Sequence, residues 1–294
     1  MSITKSTPGE KVFDLFNCLF MILLVIVTLY PLYFVLCASV SSNTSLQANP
    51  GILIKPLGFT LGAFRLAFKH PLLLSGYKNI FLILAGALPL NLIMTLLCGY
   101  FMASKKVLLK KYVVAFFMFT MFFSGGLIPS FLNQKELGLY NNLWALIIPG
   151  ALSLFNAIIT KTAIEAIPDS LMESAGIDGA NDLVILFRII TPLVLPTLAV
   201  MLLYYGVGHW NSWFPATIYL KDMNLMPLQA VLRSLLIANS NILNASEVIS
   251  DKADSYAETI KYAAIVISTV PVLFAYPFLQ KYFVKGVMIG AVKG

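Results

Sequence analysis

Long apolar runs alternate along this chain with short polar breaks marked by glycine and proline. A membrane helix needs ~20 predominantly apolar residues. Six stretches meet that requirement, at about 12–40, 77–103, 111–132, 140–162, 189–216 and 259–281. The pattern predicts an all-α membrane protein in which six transmembrane helices form one domain over 1–294. Pro31, Pro89, Pro129, Pro149 and Pro277 fall inside or near the ends of these spans. Proline is tolerated there when neighbouring helices re-satisfy the freed backbone groups, so kinked, packed helices are expected.

The break at 163–188, between the fourth and fifth spans, has the most organised pattern. Pro168 ends what precedes it, and Ser170 and Glu173 have the spacing of a capping box. Leu171, Met172 and Ala175 give the short helix an apolar side. Asp178 and Gly179 then break it, because glycine tolerates the positive φ that ends helices. Asn181 is placed to cap a second helix, with Asp182 in its favourable first turn. The expectation is a compact knuckle: helix, glycine break, helix. On spacing alone, Glu173 serves equally well as a capping carboxylate, and Asp178 and Gly179 as an ordinary turn.

Composition agrees with the membrane reading. Only 11% of the 294 residues are charged and 59% are hydrophobic, whereas soluble domains carry roughly 25% charged residues. The net charge of +7 fits basic residues gathered at cytoplasmic span ends better than it fits nucleic-acid binding. With the N-terminus inside, the inner segments hold eleven of the 20 basic residues, including the tight group Lys105, Lys106, Lys110 and Lys111. That group sets both termini and the 163–188 knuckle on the cytoplasmic side. Lys5 and Lys11 precede an apolar run too long for a cleaved signal, so the first span is expected to be retained. Cys18, Cys37 and Cys98 lie in apolar spans without metal spacing and read as reduced packing residues.

No GxxxxGK[ST] loop, HExxH pair or GxSxG elbow occurs in the chain, which argues against an ATPase, a metalloenzyme or a serine hydrolase. No catalytic residue, metal ligand or bound cofactor is expected. Mid-span positions carry essentially no ionisable groups, which weighs against an ion-coupled secondary transporter. Asn156, Tyr204, Tyr205, His209, Trp210, Asn211 and Trp213 are candidates for a solute path, since aromatic faces and amides suit sugars. Against this, Trp210 and Trp213 also fit an outer aromatic belt and Asn156 interhelical glue.

The run ESAGIDGANDLVILFRIITPLVLP at 173–196 resembles the coupling motif of bacterial ABC importer permeases, EAAxxDGAxxxxxFxxIxLPxxxP. Ser174 replaces the first alanine and Leu186 stands at the phenylalanine. Tyr30 and Pro31, FTL at 59–61, WNSWFP at 210–215, PLQ at 227–229 and KGVMIGAVKG at 285–294 resemble the maltose-type carbohydrate branch. The likeness is closest to its six-span partner, in a subgroup associated with oligosaccharides and larger glycans.

That resemblance implies a permease subunit in a bacterial cell membrane, forming half of a translocation pathway. It implies four kinds of partner: a paralogous permease, two ATPase subunits that bind ATP and Mg, an extracellular solute-binding protein, and the carbohydrate. Glu173, Ser174, Ala175, Asp178, Gly179 and Ala180 would dock into an ATPase cleft, with Glu173 paired to a basic residue there. The C-terminal tail would contact the same subunits. The alternatives are a self-contained secondary transporter or channel, and a membrane enzyme.

Overall fold

A computed structural model describes residues 8–49, 51–237 and 259–291. Among them every regular element is helical, and the family of elements divides into two compact units. The last three residues of the C-terminal tail lie outside the described residues.

The first unit takes in residues up to His70 and the segment 235–269. Its α1 (Pro8–Ser39) is exposed along nearly its whole length, with burial confined to Cys37, Ala38 and Ser39 at its end. Cys37 and Ala38 meet Leu46 of α2 (Asn43–Ala48) and Leu53, with Phe34, Leu57 and Tyr262 packed around them. Tyr30 Oη accepts the Leu53 amide at 2.9 Å, and Ser41 Oγ accepts that of Leu57 at 3.0 Å. The segment after α1 is thus folded back by side chains of α1 and of the turn that follows it. The unit also contains α3 (Gly62–Lys69).

The second unit is built on α4 (Pro71–Ala103), which is far more buried than α1. It also contains α5 (Lys110–Phe122), α6 (Leu127–Glu136), α7 (Trp144–Ile147), α8 (Leu154–Glu165) and α9 (Asp169–Ile177). The short α10 (Asp182–Val184) follows, then a π-helical turn over Ile185–Ile190 and α11 (Thr191–Leu193). Next come α12 (Leu195–Trp210), α13 (Phe214–Tyr219) and α14 (Leu228–Ile237), whose last three residues belong to the first unit. A final helix, α15 (Thr259–Ala291), begins in the first unit and ends in the second. Gly99 lets α4 and α8 approach closely: a Cβ there would lie 3.0 Å from Thr160 Cγ2 and 3.2 Å from the Lys161 nitrogen.

The six stretches do not all become straight helices. The first two correspond to α1 and α4, and the last falls within α15. The third, expected over 111–132, is α5 and α6 bent by 114°. Gly126, at φ +88°, makes that corner. The fourth, expected over 140–162, is split: α7 stops at Ile147 and α8 starts at Leu154, because Pro149 and Gly150 interrupt the ladder. The fifth bends by 83° between α11 and α12 at Val194. Among the described residues, two helices are thus long and apolar enough to cross a membrane, or up to four if each bent pair is one span.

The expected capping box is also corrected. Pro168 occupies the cap of α9 and no side chain caps the helix, so Ser170 already lies within its first turn. Asp169 sits at the first helical position instead and bonds Lys105.

Candidate functional site

Two regions of the second unit collect the residues singled out by sequence. The first is the knuckle. After α9, Gly179 adopts φ +82°, and a Cβ there would meet nothing within 4 Å. Its need for glycine is conformational rather than steric. The Asn181 side chain then accepts the Val184 amide at 2.9 Å, the cap that the sequence predicts. Pro192 cannot donate to the carbonyl four residues back, and the wide π-turn ends just before it.

The underside of the knuckle is apolar and shared with three other helices. Ala175 packs with Leu96 of α4, Ile164 of α8, Ile185, Leu186 and Ile190 of the π-turn, and Val194 and Leu198 of the bend. Leu186 is only 1% exposed within this cluster, so leucine fills the position where the motif has phenylalanine. Phe187, one place later, is exposed. Ser174 turns its hydroxyl onto the Ser170 and Leu171 carbonyls at 2.9 and 3.2 Å. The serine is thereby accommodated on an exposed helical turn without a change of backbone.

Two polar contacts tether the knuckle at its ends. Lys105 Nζ donates to Asp169 Oδ2 at 2.6 Å, and Tyr100 Oη donates to Asp182 Oδ1 at 3.1 Å. The bond and charge of Asp169 raise the Lys105 pKa above its usual 10.5, and the more distant Glu173 and Glu165 act in the same direction. Glu173, Asp178 and Gly179 stay exposed on the outer side, beside Ile177 at 87% exposure.

The second region is a cleft of about 890 Å³ between α6, the 148–153 break, α8, α12 and α13. Asn156, Tyr204, Tyr205 and His209 line it, whereas Trp210, Asn211 and Trp213 lie outside its lining. Trp210 packs edge-on against Phe81. Trp213 lies 3.3 Å under the Arg233 guanidinium, and Asn211 Nδ2 bonds the Val207 carbonyl.

A polar knot holds the wall of this cleft. Asn91 of α4, fully buried, donates through Nδ2 to the Gly150 and Ala151 carbonyls at 2.7 and 3.1 Å. Its Oδ1 lies 3.0 Å from His209 Nε2. One turn along α4, buried Thr95 shares a 2.7 Å bond with Tyr205 Oη, which also accepts the Ser153 amide at 2.9 Å. Non-helical backbone at membrane depth survives only when such partners replace water.

Sequence reasoning missed Asn91, Thr95 and Gln134. The first two sit four residues apart in a long apolar run, hence on one helix face, a spacing that was readable. Ser130, Asn133 and Gln134 likewise form a polar face of α6 in the cleft wall. Among the described residues, no cluster of His, Cys, Asp or Glu is suited to a metal ion.

Residues 10–289 match the family model described as binding-protein-dependent transport system inner membrane component. The chain belongs to that family. This inner-membrane family member is 37% identical over 289 residues to the polygalacturonan/rhamnogalacturonan transport system permease protein YtcP of Bacillus subtilis (strain 168), covering 97% of this chain and 99% of the relative. It is 26% identical to the arabinooligosaccharides transport system permease protein AraQ of Halalkalibacterium halodurans, over 91% of this chain and 92% of that one. A solved bacterial ABC transporter involved in import of the acidic polysaccharide alginate contains a chain with the same fold. Its TM-score is 0.87 at 29% identity, over 95% of this chain and 99% of that one.

Proposed function

We infer that this chain is the transmembrane permease subunit of an ATP-driven importer for a carbohydrate, an oligosaccharide or larger glycan. The observation that carries the reading is the end-to-end 37% identity to a permease of polygalacturonan and rhamnogalacturonan transport. The cleft supports it chemically. Amide, hydroxyl and aromatic groups line it together, the mixture that suits sugar hydroxyls and C–H faces. ATP hydrolysis belongs to separate ATPase subunits, with a second permease completing the pathway and a binding protein delivering solute. The two units work as one permease domain, multi-pass in a bacterial cell membrane, with both termini and the knuckle cytoplasmic.

Glu173, Ser174, Ala175, Asp178, Gly179 and Ala180 couple the knuckle to an ATPase. Glu173 is exposed for pairing with a basic residue, and Gly179 sets the angle between α9 and α10. The packing beneath suggests the transmission route. A displacement of α9 presses on Leu96 of α4 and on Val194 and Leu198 at the start of α12. Leu198 and Tyr205 are seven residues apart, about 10 Å along the helix. The same two helices therefore carry the motion from the knuckle to the cleft, where Asn91, Thr95, Tyr205 and His209 hold the wall.

The test is reconstitution of the complete importer in proteoliposomes. Glu173→Ala and Gly179→Pro are expected to leave ATP hydrolysis running while solute uptake falls at least several-fold. Wild-type uptake in both variants removes the coupling role. Uptake by this chain alone, without ATP, refutes the importer reading and restores a self-contained transporter.

A further inference from the structure

One face of α5 leads from the lysines of the α4–α5 turn into an apolar groove. Lys110, Val113, Phe117 and Thr120 recur at the three- and four-residue spacing of a single helix face. Lys110 heads that face, and its Nζ donates to the Ser104 carbonyl at 3.0 Å, just past the end of α4. Next along it, Val113 and Phe117 line an apolar hollow of about 280 Å³ with Leu97, Cys98 and Phe101 of α4. A second hollow of about 430 Å³ shares Phe117 and Leu152 with the first and continues to Thr120 and Met121. From Val113 to Met121 the groove runs about 12 Å along the helix.

Bulky walls and unmatched charge decide what fits there. Membrane helices pack closely through small residues, yet the walls of both hollows contain no glycine or alanine. Such walls hold off a second helix backbone and leave room for a flexible methylene chain. At the head of the groove the charge is one-sided. Lys105 is paired with Asp169 and Lys161 with Glu165, whereas Lys106, Lys110 and Lys111 have no carboxylate at ion-pair distance among the described residues. The first turn of α5 holds no acidic residue. Among these lysines Leu108 is 97% exposed, with Leu109 and Tyr112 also open. Basic residues set around open apolar and aromatic side chains match the surface of an anionic bilayer.

We propose that the α4–α5 groove binds one anionic phospholipid. Its phosphate sits on Lys106, Lys110 and Lys111, and an acyl chain lies along Val113, Phe117 and Met121. The chain then rests against Leu152 and Ser153, at the end of the 148–153 break. Ser153 also lines the solute cleft, so lipid and cleft flank the same piece of non-helical backbone. The site does not depend on which solute the cleft carries.

The test uses the full chain purified with its partner subunits, in nanodiscs of phosphatidylcholine and phosphatidylglycerol in equal parts with identical acyl chains. Lipids retained after mild detergent release are counted by native mass spectrometry, with co-purification of the partners as the check on assembly. Each lysine near an anionic surface contributes about five-fold in binding. Wild type is therefore expected to retain phosphatidylglycerol over phosphatidylcholine by about ten-fold or more, and Lys110→Gln to lower that preference about five-fold. Replacing Lys106, Lys110 and Lys111 together by Gln is expected to bring the two lipids to parity. Leu97→Trp and Val113→Trp, one from each wall, fill the groove and leave the lysines in place. Both are expected to weaken phosphatidylglycerol retention several-fold. Equal retention of the two lipids by wild type, or an unchanged preference in the triple variant, overturns the site. Wild-type retention in both tryptophan variants overturns the groove and leaves adsorption on the lysines alone. Loss of the partner subunits from the triple variant in pure phosphatidylcholine assigns the lysines to a protein contact and overturns the lipid reading.

Discussion

The knuckle and the 148–153 break are both interruptions between helices, yet they are held in opposite ways. At the knuckle, Gly179 turns in the open, and its amide and that of Ala180 donate back to the Gly176 and Ala175 carbonyls of α9. The fixed contacts lie underneath, in an apolar cluster, and at the edges, in exposed bonds from Lys105 and Tyr100. At the 148–153 break, the freed groups are taken by buried neutral side chains of α4 and α12. The difference follows from the solvent each break meets. Where water is available, a chain break needs only a permissive residue; where it is not, named partners are required. The knuckle is built to be displaced as a body on an apolar bearing, while the break is built to keep one shape.

The largest effect expected from this contrast is at Asn91. Asn91→Leu removes both bonds to the Gly150 and Ala151 carbonyls and the contact to His209. The loss is expected to be about 1–3 kcal/mol, read as a lower thermal midpoint in detergent and as proteolysis within 148–153. An Asn91→Leu protein as stable as wild type would mean that the break holds itself.

Tyr205→Phe is the next step down. It keeps the ring and removes the hydroxyl shared by Thr95 and the Ser153 amide, at an expected cost of about 1–2 kcal/mol. Thr95→Val in the same background is expected to add little, since its partner is already gone. Additive losses would show that Thr95 and Tyr205 act separately.

These two regions also differ in how far they can be read from sequence. Asn181 capping and the Gly179 turn follow from local chemistry, and the structure has both. The capping box failed because Pro168, whose ring favours a helix start, moves the first turn back by two residues. Asn91 and Thr95 stand in an apolar run where hydropathy treats them as tolerated polar residues. Asn91 takes its meaning from backbone 60 residues away, and Thr95 from a tyrosine hydroxyl 110 residues away. The bends of the third, fourth and fifth stretches were hidden for the same reason: hydropathy measures length of apolar sequence, not direction. Trp210 and Trp213 fit a solute path by residue type, whereas the fold packs them against Phe81 and Arg233.

Gly179→Ala sharpens the contrast from the other side. Nothing lies within 4 Å of the added methyl, so only the positive φ opposes it. The expected cost is about 1 kcal/mol, smaller than at Asn91, although the residue stands in the middle of the knuckle. A larger loss of stability would mean that the turn is packed more tightly than its open surroundings indicate.

The smallest expected effect is at the Lys105–Asp169 pair. Its side chains are 78% and 55% exposed, and exposed ion pairs contribute little to stability. Lys105→Met is therefore expected to leave the thermal midpoint unchanged within error, in low and high salt alike. The sign of the pH dependence follows from the raised Lys105 pKa. Whatever the pair contributes is fully present below 10.5, the ordinary lysine value, and is lost as pH rises through the higher folded value. Between neutral pH and 9, wild type and Lys105→Met should therefore have superimposable stability curves. A salt-sensitive difference at neutral pH would show that the knuckle's edge is held by charge after all, and that its apolar bearing is not sufficient to seat it.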